Sequence, residues 1–233
     1  MSDPSRLHDA ILTGDHKTAA AVTRDAIASG IDAMELVSRY MVPAMDEVGR
    51  RFECEEFFVP ELLLSARAMK SALELLRPLL AAAGAASAGR VVIGTVKGDL
   101  HDIGKNIVGA MLEGGGFEVI DLGADVAPEA FVDAVKTHRP RLVCLSALLT
   151  VTMPSMKATI AALEQAGVRD SVKVLVGGAP VTPEFARQIG ADGSGDNAAA
   201  AVTLARKVLQ HADQGDLLRG DVPRDLPPGG AIP

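Results

Sequence analysis

The chain has 233 residues, 48% of them hydrophobic, and a formal net charge of -7. It shows no basic patch and no aromatic platform, which argues against broad binding to nucleic acid or to an anionic membrane. With no Trp and one Tyr, aliphatic side chains must build the core, and the abundant Ala and Gly suit close helix packing. The length suits one large domain or two small ones. Cys54 and Cys144 stand alone, without ligand-like spacing, so a reduced, cytoplasmic setting is expected. The N-terminal stretch has no apolar signal core, and no uncharged run reaches the roughly 18 residues of a spanning helix.

Residues 5–83 read as helices only. "SRLHDAILTGDHKTAAAVTRDAIASG" predicts two helices broken at Gly14-Asp15, with Gly30 closing the second. In "IDAMELVSRYMVPAMDEVGRRF", Met34, Leu36, Val37, Tyr40, Met41, Met45 and Val48 fall near helical spacing, and Pro43 should kink or restart the helix. The longest helix follows, with Pro60 in its first turn. Met34, Met41, Met45 and Met69 are expected in the core of this four-helix bundle, and the acidic run 53–56 at a solvated helix start. A small-residue linker, "AGAASAG", comes next.

Beyond it the pattern changes. Short apolar runs at 91–96, 118–122, 141–148 and 172–178 alternate with amphipathic segments near 104–114, 128–138, 153–166 and 182–189, and a last helix spans about 197–212. Strand alternating with helix predicts an α/β fold, a doubly wound parallel sheet of flavodoxin-like type. The expected division is therefore a helical cap over 1–84, a linker over 85–89, an α/β domain over 90–212 and a disordered tail over 213–233.

The end of the first strand carries "KGDLHDIGKN", residues 97–106, where an open parallel sheet binds ligands. A dinucleotide fingerprint is absent, and the approach to a phosphate loop fails in its glycine spacing and at Asn106. A closed zinc site needs three or four ligands, and His8, His16, His138 and His211 lie in other predicted helices. No strand-to-helix turn carries a hydrolase nucleophile. A metal already held by its own macrocycle needs one axial imidazole, and the imidazole needs a carboxylate to fix its tautomer. His101 and Asp99 supply that pair. Asp102 also suits the start of the following helix, and Cys144 is expected to be buried in its strand.

"GDLHDIGKNIV" contains the DxHxxG motif of cobalamin-binding domains, as Asp99, His101 and Gly104. The order of "DLGADV", "LSALLTVTM" and "VLVGGAPVT" after successive strands, together with the helical region, resembles the corrinoid proteins of methyltransferase systems over roughly residues 5–210. It is similar to the cobalamin module of methionine synthase. The resemblance implies cobalamin bound base-off and His-on, with His101 as the cobalt ligand and His101, Asp99 and Thr152 forming a relay. It places Gly98, Leu100, Asp102, Ile103, Gly104, Ser146, Leu148, Thr150, Gly177, Gly178, Ser194 and Asn197 around the cofactor and its nucleotide tail. Ser194 stands where these proteins often carry Tyr, and Cys54-Glu55 where they often carry Glu-Gly.

The resemblance further implies a carrier with little chemistry of its own, alternating between methylcob(III)alamin and cob(I)alamin. Its expected partners are a substrate-specific methyltransferase of TIM-barrel type, an acceptor methyltransferase using a folate, pterin or thiol, and a reductive activase. The bundle should cover the corrin and swing away on the linker when a partner docks. Two other readings share the motif: the small subunit of an adenosylcobalamin mutase, against which the helical cap argues, and a cobalamin-based sensor, which would add a DNA-binding domain.

Overall fold

The computed structural model describes residues 3–82 and 88–219. Most of the expected linker and the last residues of the tail lie outside them. The helical portion contains α1 (Ser5–Leu12), α2 (His16–Ala28), α3 (Ala33–Leu36), α4 (Val42–Glu53) and α5 (Val59–Ala82). Asp15 caps α2 by accepting the N–H groups of Lys17 and Thr18.

The expected disturbance at Pro43 takes a definite form. A π-helical stretch, Val37–Met41, runs between α3 and α4, and Pro43 sits in the first turn of α4. Pro43 has no N–H to donate, and the widened turn before it shifts the hydrogen-bond register past the gap. Met41, Met45 and Met69 are buried as expected. Met34 is not; it is 45% exposed. Ala33 and Leu36 turn inward in α3, and Met34 is rotated about 100° from Ala33 around the axis. The acidic run 53–56 also departs from expectation. It closes α4 in an exposed turn, with Glu55 at φ 61°, rather than opening a helix.

The α/β portion contains β1 (Arg90–Thr95), α6 (Ile103–Gly114), β2 (Glu118–Asp121), α7 (Pro128–His138), β3 (Leu142–Ser146), α8 (Pro154–Gln165), β4 (Lys173–Gly177), α9 (Pro183–Gln188), β5 (Gly193–Gly195) and α10 (Ala198–Arg219). The sheet is parallel with order β2-β1-β3-β4-β5. β5 was not expected. Gly-Ser-Gly has no apolar alternation and low strand propensity, so its pairing, such as Ser194 opposite Val176, is imposed by β4. α10 also runs past the expected end at 212.

Successive strand residues face opposite sides, and two cores result. Val91, Ile93, Leu142, Cys144 and Leu175 meet α6, α10 and the helical bundle. Val92, Val143, Leu145, Val174 and Val176 meet α7, α8 and α9. The bundle docks through small residues. A Cβ on Gly114 of α6 would stand 3.3 Å from Ala66 of α5, and one on Gly49 of α4 would stand 3.3 Å from Ala199 of α10. Ion pairs Lys70–Glu113 at 2.9 Å and Arg206–Asp46 at 2.8 Å flank this packing. Partly exposed pairs contribute about 0–1 kcal/mol each, so apolar burial dominates the docking.

From β1 the chain steps outward to β2, then crosses back to β3 on the other side of β1. The carboxyl ends of β1 and β3 therefore border a topological switch point, where two loops diverge and leave a crevice.

Candidate functional site

The loop after β1 is fixed from several directions. The Thr95 hydroxyl donates to the His101 carbonyl at 2.9 Å, and Asp99 N–H donates to the Val96 carbonyl at 3.1 Å. Asp99 is fully buried, yet both its oxygens are used. Oδ1 accepts the His101 backbone N–H at 3.0 Å and meets His101 Nδ1 at 2.7 Å. Oδ2 accepts the N–H groups of Leu148 at 2.7 Å and Leu149 at 3.2 Å, and the Thr152 hydroxyl at 2.7 Å. One carboxylate thus joins the loops that follow β1 and β3.

Burial would push the Asp99 carboxyl pKa up, because it penalises the charge. The hydrogen bonds from His101 N–H, Thr152 and Leu148 outweigh that and hold it well below the ordinary value. An ionised carboxylate only accepts, so the tautomer of the neutral imidazole that it selects carries the proton on Nδ1 and leaves the lone pair on Nε2. Among the described residues nothing hydrogen-bonds to Nε2, and the His101 side chain is 49% exposed. Leu100, Ile103, Leu148 and Val151, in the two loops that Asp99 joins, form an exposed apolar rim. Such exposure of large apolar side chains at one spot marks a binding surface.

A crevice of about 340 Å³ lies beside this rim, between the carboxyl ends of the strands, α6, the start of α10 and the bundle. Gly104, Ser146, Gly177, Gly178 and Asn197 line it. Its glycines are present for different reasons. A Cβ at Gly104 would meet nothing within 4 Å, and one at Gly177 would make only ordinary contact with the Gly195 carbonyl. The protein's own packing does not exclude a side chain there, so what the glycines keep clear is crevice. Gly178 differs: at φ 132° its Cβ would fall 1.9 Å from the Ala147 carbonyl oxygen, so the backbone itself requires glycine.

Other expected residues stand apart from the crevice. Thr150 lies exposed in the turn after β3, and Ser194 sits within β5; neither lines the space. Gly98 and Asp102 are exposed beside His101. The Asp102 side chain does not cap α6 but accepts from Asn106 at 3.2 Å, while Asn197 Oδ1 accepts Ala200 N–H at 2.8 Å at the start of α10. Lining residues that the motif did not reveal include Ile107 and Val108, one helical turn beyond Gly104, and Phe52 and Val59 from the bundle. Helical spacing from Gly104 could have found the first two; no local signal marks the others. A second hollow of about 410 Å³ between α4 and α10 contains no motif residue.

The residues fit a planar metal macrocycle with a tail. They offer one imidazole lone pair, an apolar rim for a flat ring and an adjoining crevice, and no closed metal cage is required. Among the described residues no helix is long and apolar enough to cross a membrane.

The comparisons with known proteins agree. Residues 89–203 match the family described as B12 binding domain, and residues 5–77 match a second family of the same description. The chain is 42% identical over 207 residues to trimethylamine corrinoid protein 1 of Methanosarcina acetivorans, covering 88% of this chain and 96% of that protein. It is 42% identical to a corrinoid protein of Desulfitobacterium hafniense, covering 90% and 98%. A crystal structure of a cobalamin-binding protein from Desulfitobacterium hafniense superposes with TM-score 0.73 at 36% identity, covering 91% and 98% of the two chains. A chain of the methanol:cobalamin methyltransferase complex of Methanosarcina barkeri superposes with TM-score 0.75 at 31% identity, covering 88% and 78%. With the histidine loop, the crevice and both B12-binding regions in one chain, this protein belongs to the corrinoid proteins, and its cofactor is a cobalamin, with cobalt as the metal.

Proposed function

We propose that this chain is a methyl carrier that holds cobalamin base-off, with His101 Nε2 as the lower cobalt ligand and the nucleotide tail in the crevice beside β4 and β5. One partner methyltransferase loads a methyl group and a second removes it. The observation that carries the reading is the Asp99–His101 pair: a buried carboxylate meets Nδ1, and Nε2 has no hydrogen-bond partner among the described residues on a half-exposed side chain. Bound cobalt supplies the nucleophile that takes up the methyl group, and its affinity for an axial ligand changes with its state. The protein's part is to hold the imidazole in one tautomer and to absorb the change in its proton demand. Asp99 and Thr152 do this through their 2.7 Å contact. Ser146, Gly177 and Asn197 serve the tail, and Gly104 lets it pass.

Names of relatives support the class of donor. Several are trimethylamine or dimethylamine corrinoid proteins, and one similar solved structure is a methanol:cobalamin methyltransferase complex. The donor-side partner is accordingly a methyltransferase for a small methylated amine or alcohol, of TIM-barrel type. A thiol, folate or pterin methyltransferase is the second partner, and a reductive activase restores the cobalt. These partners place the carrier in the cytoplasm. The bundle lies against α6 and α10, and its Phe52 and Val59 reach the crevice, which supports a covering role for it beside the cofactor.

The test is to load the full chain with cob(II)alamin and record its electron paramagnetic resonance with ¹⁵N-histidine labelling. Wild type should show an axial histidine nitrogen, and His101→Gly should lose it. The loaded protein should then accept methyl groups from a methylamine or methanol methyltransferase. An unlabelled-type spectrum in labelled wild type, or coordination by the cofactor's own base, would overturn the proposal.

A further inference from the structure

We infer that Asp125, in the loop between β2 and α7, is a positioning residue for the His101 loop; this rests on the reading of His101 as the axial ligand. Asp125 makes three bonds to the segment that leads into the histidine. Its Oδ1 accepts Gly98 N–H at 2.8 Å, its carboxylate meets the Lys97 ammonium at 3.1 Å, and its own N–H donates to the Asp99 carbonyl at 2.9 Å. The residue adopts φ 56°, a left-handed conformation uncommon outside glycine, which aspartate tolerates better than most side chains. Gly98 opposite it lies at φ 86°. Asp125, in a conformation uncommon for a non-glycine residue and bonded to Gly98 through its side chain and to Asp99 through its N–H, is held by the surrounding structure rather than by local preference.

That structure is in place. The Asp125 loop is anchored to β1 by the Val96–Val126 bridge, by Thr95 N–H to the Gly123 carbonyl and by Val126 N–H to the Thr95 carbonyl, both at 2.9 Å. Asp121 adds a tie by accepting Gly123 N–H at 2.8 Å while pairing with buried Lys105 of α6. The histidine loop is therefore fastened twice. The Asp99 carboxylate ties it to the residues after β3, and Asp125 ties its entry to the residues after β2.

Ligation is directional, since the Nε2 lone pair must lie along the metal's axis. Functional side chains must be held within roughly 0.5 Å and 10–20° of the productive geometry. Without the Asp125 carboxylate, Gly98 N–H and Lys97 lose their partner. Glycine then lets the peptide before Asp99 rotate, and the Asp99–His101 pair moves with it. Asp125 touches neither the ring nor Nε2; it acts through Asp99.

The test loads the full-length protein with cob(II)alamin and reads two quantities: cofactor retained per chain, and the fraction with an axial histidine nitrogen by paramagnetic resonance. Asp125→Gly removes the acceptor while accommodating the left-handed backbone, and Asp125→Asn keeps an acceptor for Gly98. Asp125→Gly should retain base-off cofactor while the ratio of ligated to unligated cobalt falls about 10-fold, in the range expected for loss of an outer partner. Asp125→Asn should stay near wild type. A purely structural role would change the melting temperature and leave that ratio alone. Where Asp125→Gly is too unstable to load at ambient temperature, the same variant is loaded and frozen in the cold and carries the same expectation. Wild-type ligation in the Gly variant overturns the inference. Indistinguishable spectra for wild type and His101→Gly would instead overturn the axial assignment, so the two failures are separable.

Discussion

Replacing Asp99 with Asn should change which nitrogen of His101 carries the proton. The carboxylate accepts at both oxygens, and an amide accepts at one. If the amide nitrogen takes the Oδ2 position, it faces the N–H groups of Leu148 and Leu149, and both lose their acceptor. Thr152 adapts, because its hydroxyl can accept from the amide and donate to the Leu149 carbonyl at 2.8 Å. If the amide nitrogen takes the Oδ1 position, only the His101 backbone N–H is orphaned. The imidazole adapts by releasing the Nδ1 proton and accepting there. The second arrangement leaves one orphaned donor fewer, worth about 1–3 kcal/mol, and is therefore favoured. It moves the proton to Nε2, the atom assigned to cobalt. Asp99→Asn should lose about 2–4 kcal/mol of stability, from one orphaned donor and weaker, uncharged acceptors. It should retain cofactor through the crevice and show little histidine ligation. Urea denaturation of the cofactor-free protein and resonance spectroscopy of the loaded protein measure the two effects. Stability within about 0.5 kcal/mol of wild type, with unchanged ligation, would refute the reasoning.

Gly178→Ala should destabilise the protein by about 3 kcal/mol or more, since its Cβ meets the Ala147 carbonyl oxygen at 1.9 Å on a glycine-only backbone. Gly177→Ala should fold with a change below about 1 kcal/mol and weaken cobalamin retention instead; denaturant titration and cofactor binding separate the pair. Asp99 is held below its ordinary value of 3.8, so its contribution to stability is full above that pH and is lost as pH falls towards the folded-state value. Asp99→Asn should flatten the acid limb of the stability profile, and an unchanged limb would show that other groups set it. The Cys144 thiol, pushed up to about 12 by burial, should resist iodoacetamide at pH 8 in the native protein while exposed Cys54 reacts, as peptide mapping would reveal.

The alternation of apolar strands with amphipathic helices was legible because a parallel sheet covered on both faces needs near-continuous apolar runs, as in "VVIGTV". The histidine loop was legible because Asp99, Gly98 and His101 lie within four residues, and local contacts are written in local sequence. Strand β5 was not, because Gly193–Gly195 is a strand only by pairing with β4. The exposure of Met34 was not legible, because the π stretch between it and Pro43 breaks the uniform helical period that would align it with Met41 and Met45. The bonds from Leu148 and Leu149 to Asp99, about fifty positions away, carry no composition signal, since any residue has an N–H. Only the tertiary structure decided that Gly178 serves the backbone while Gly177 clears the crevice, because a glycine's neighbours are set by where distant strands bring their carbonyls. For the same reason Asp125, unremarkable within "DLGADV", becomes a fastening point for the histidine loop only when β2 is laid beside β1.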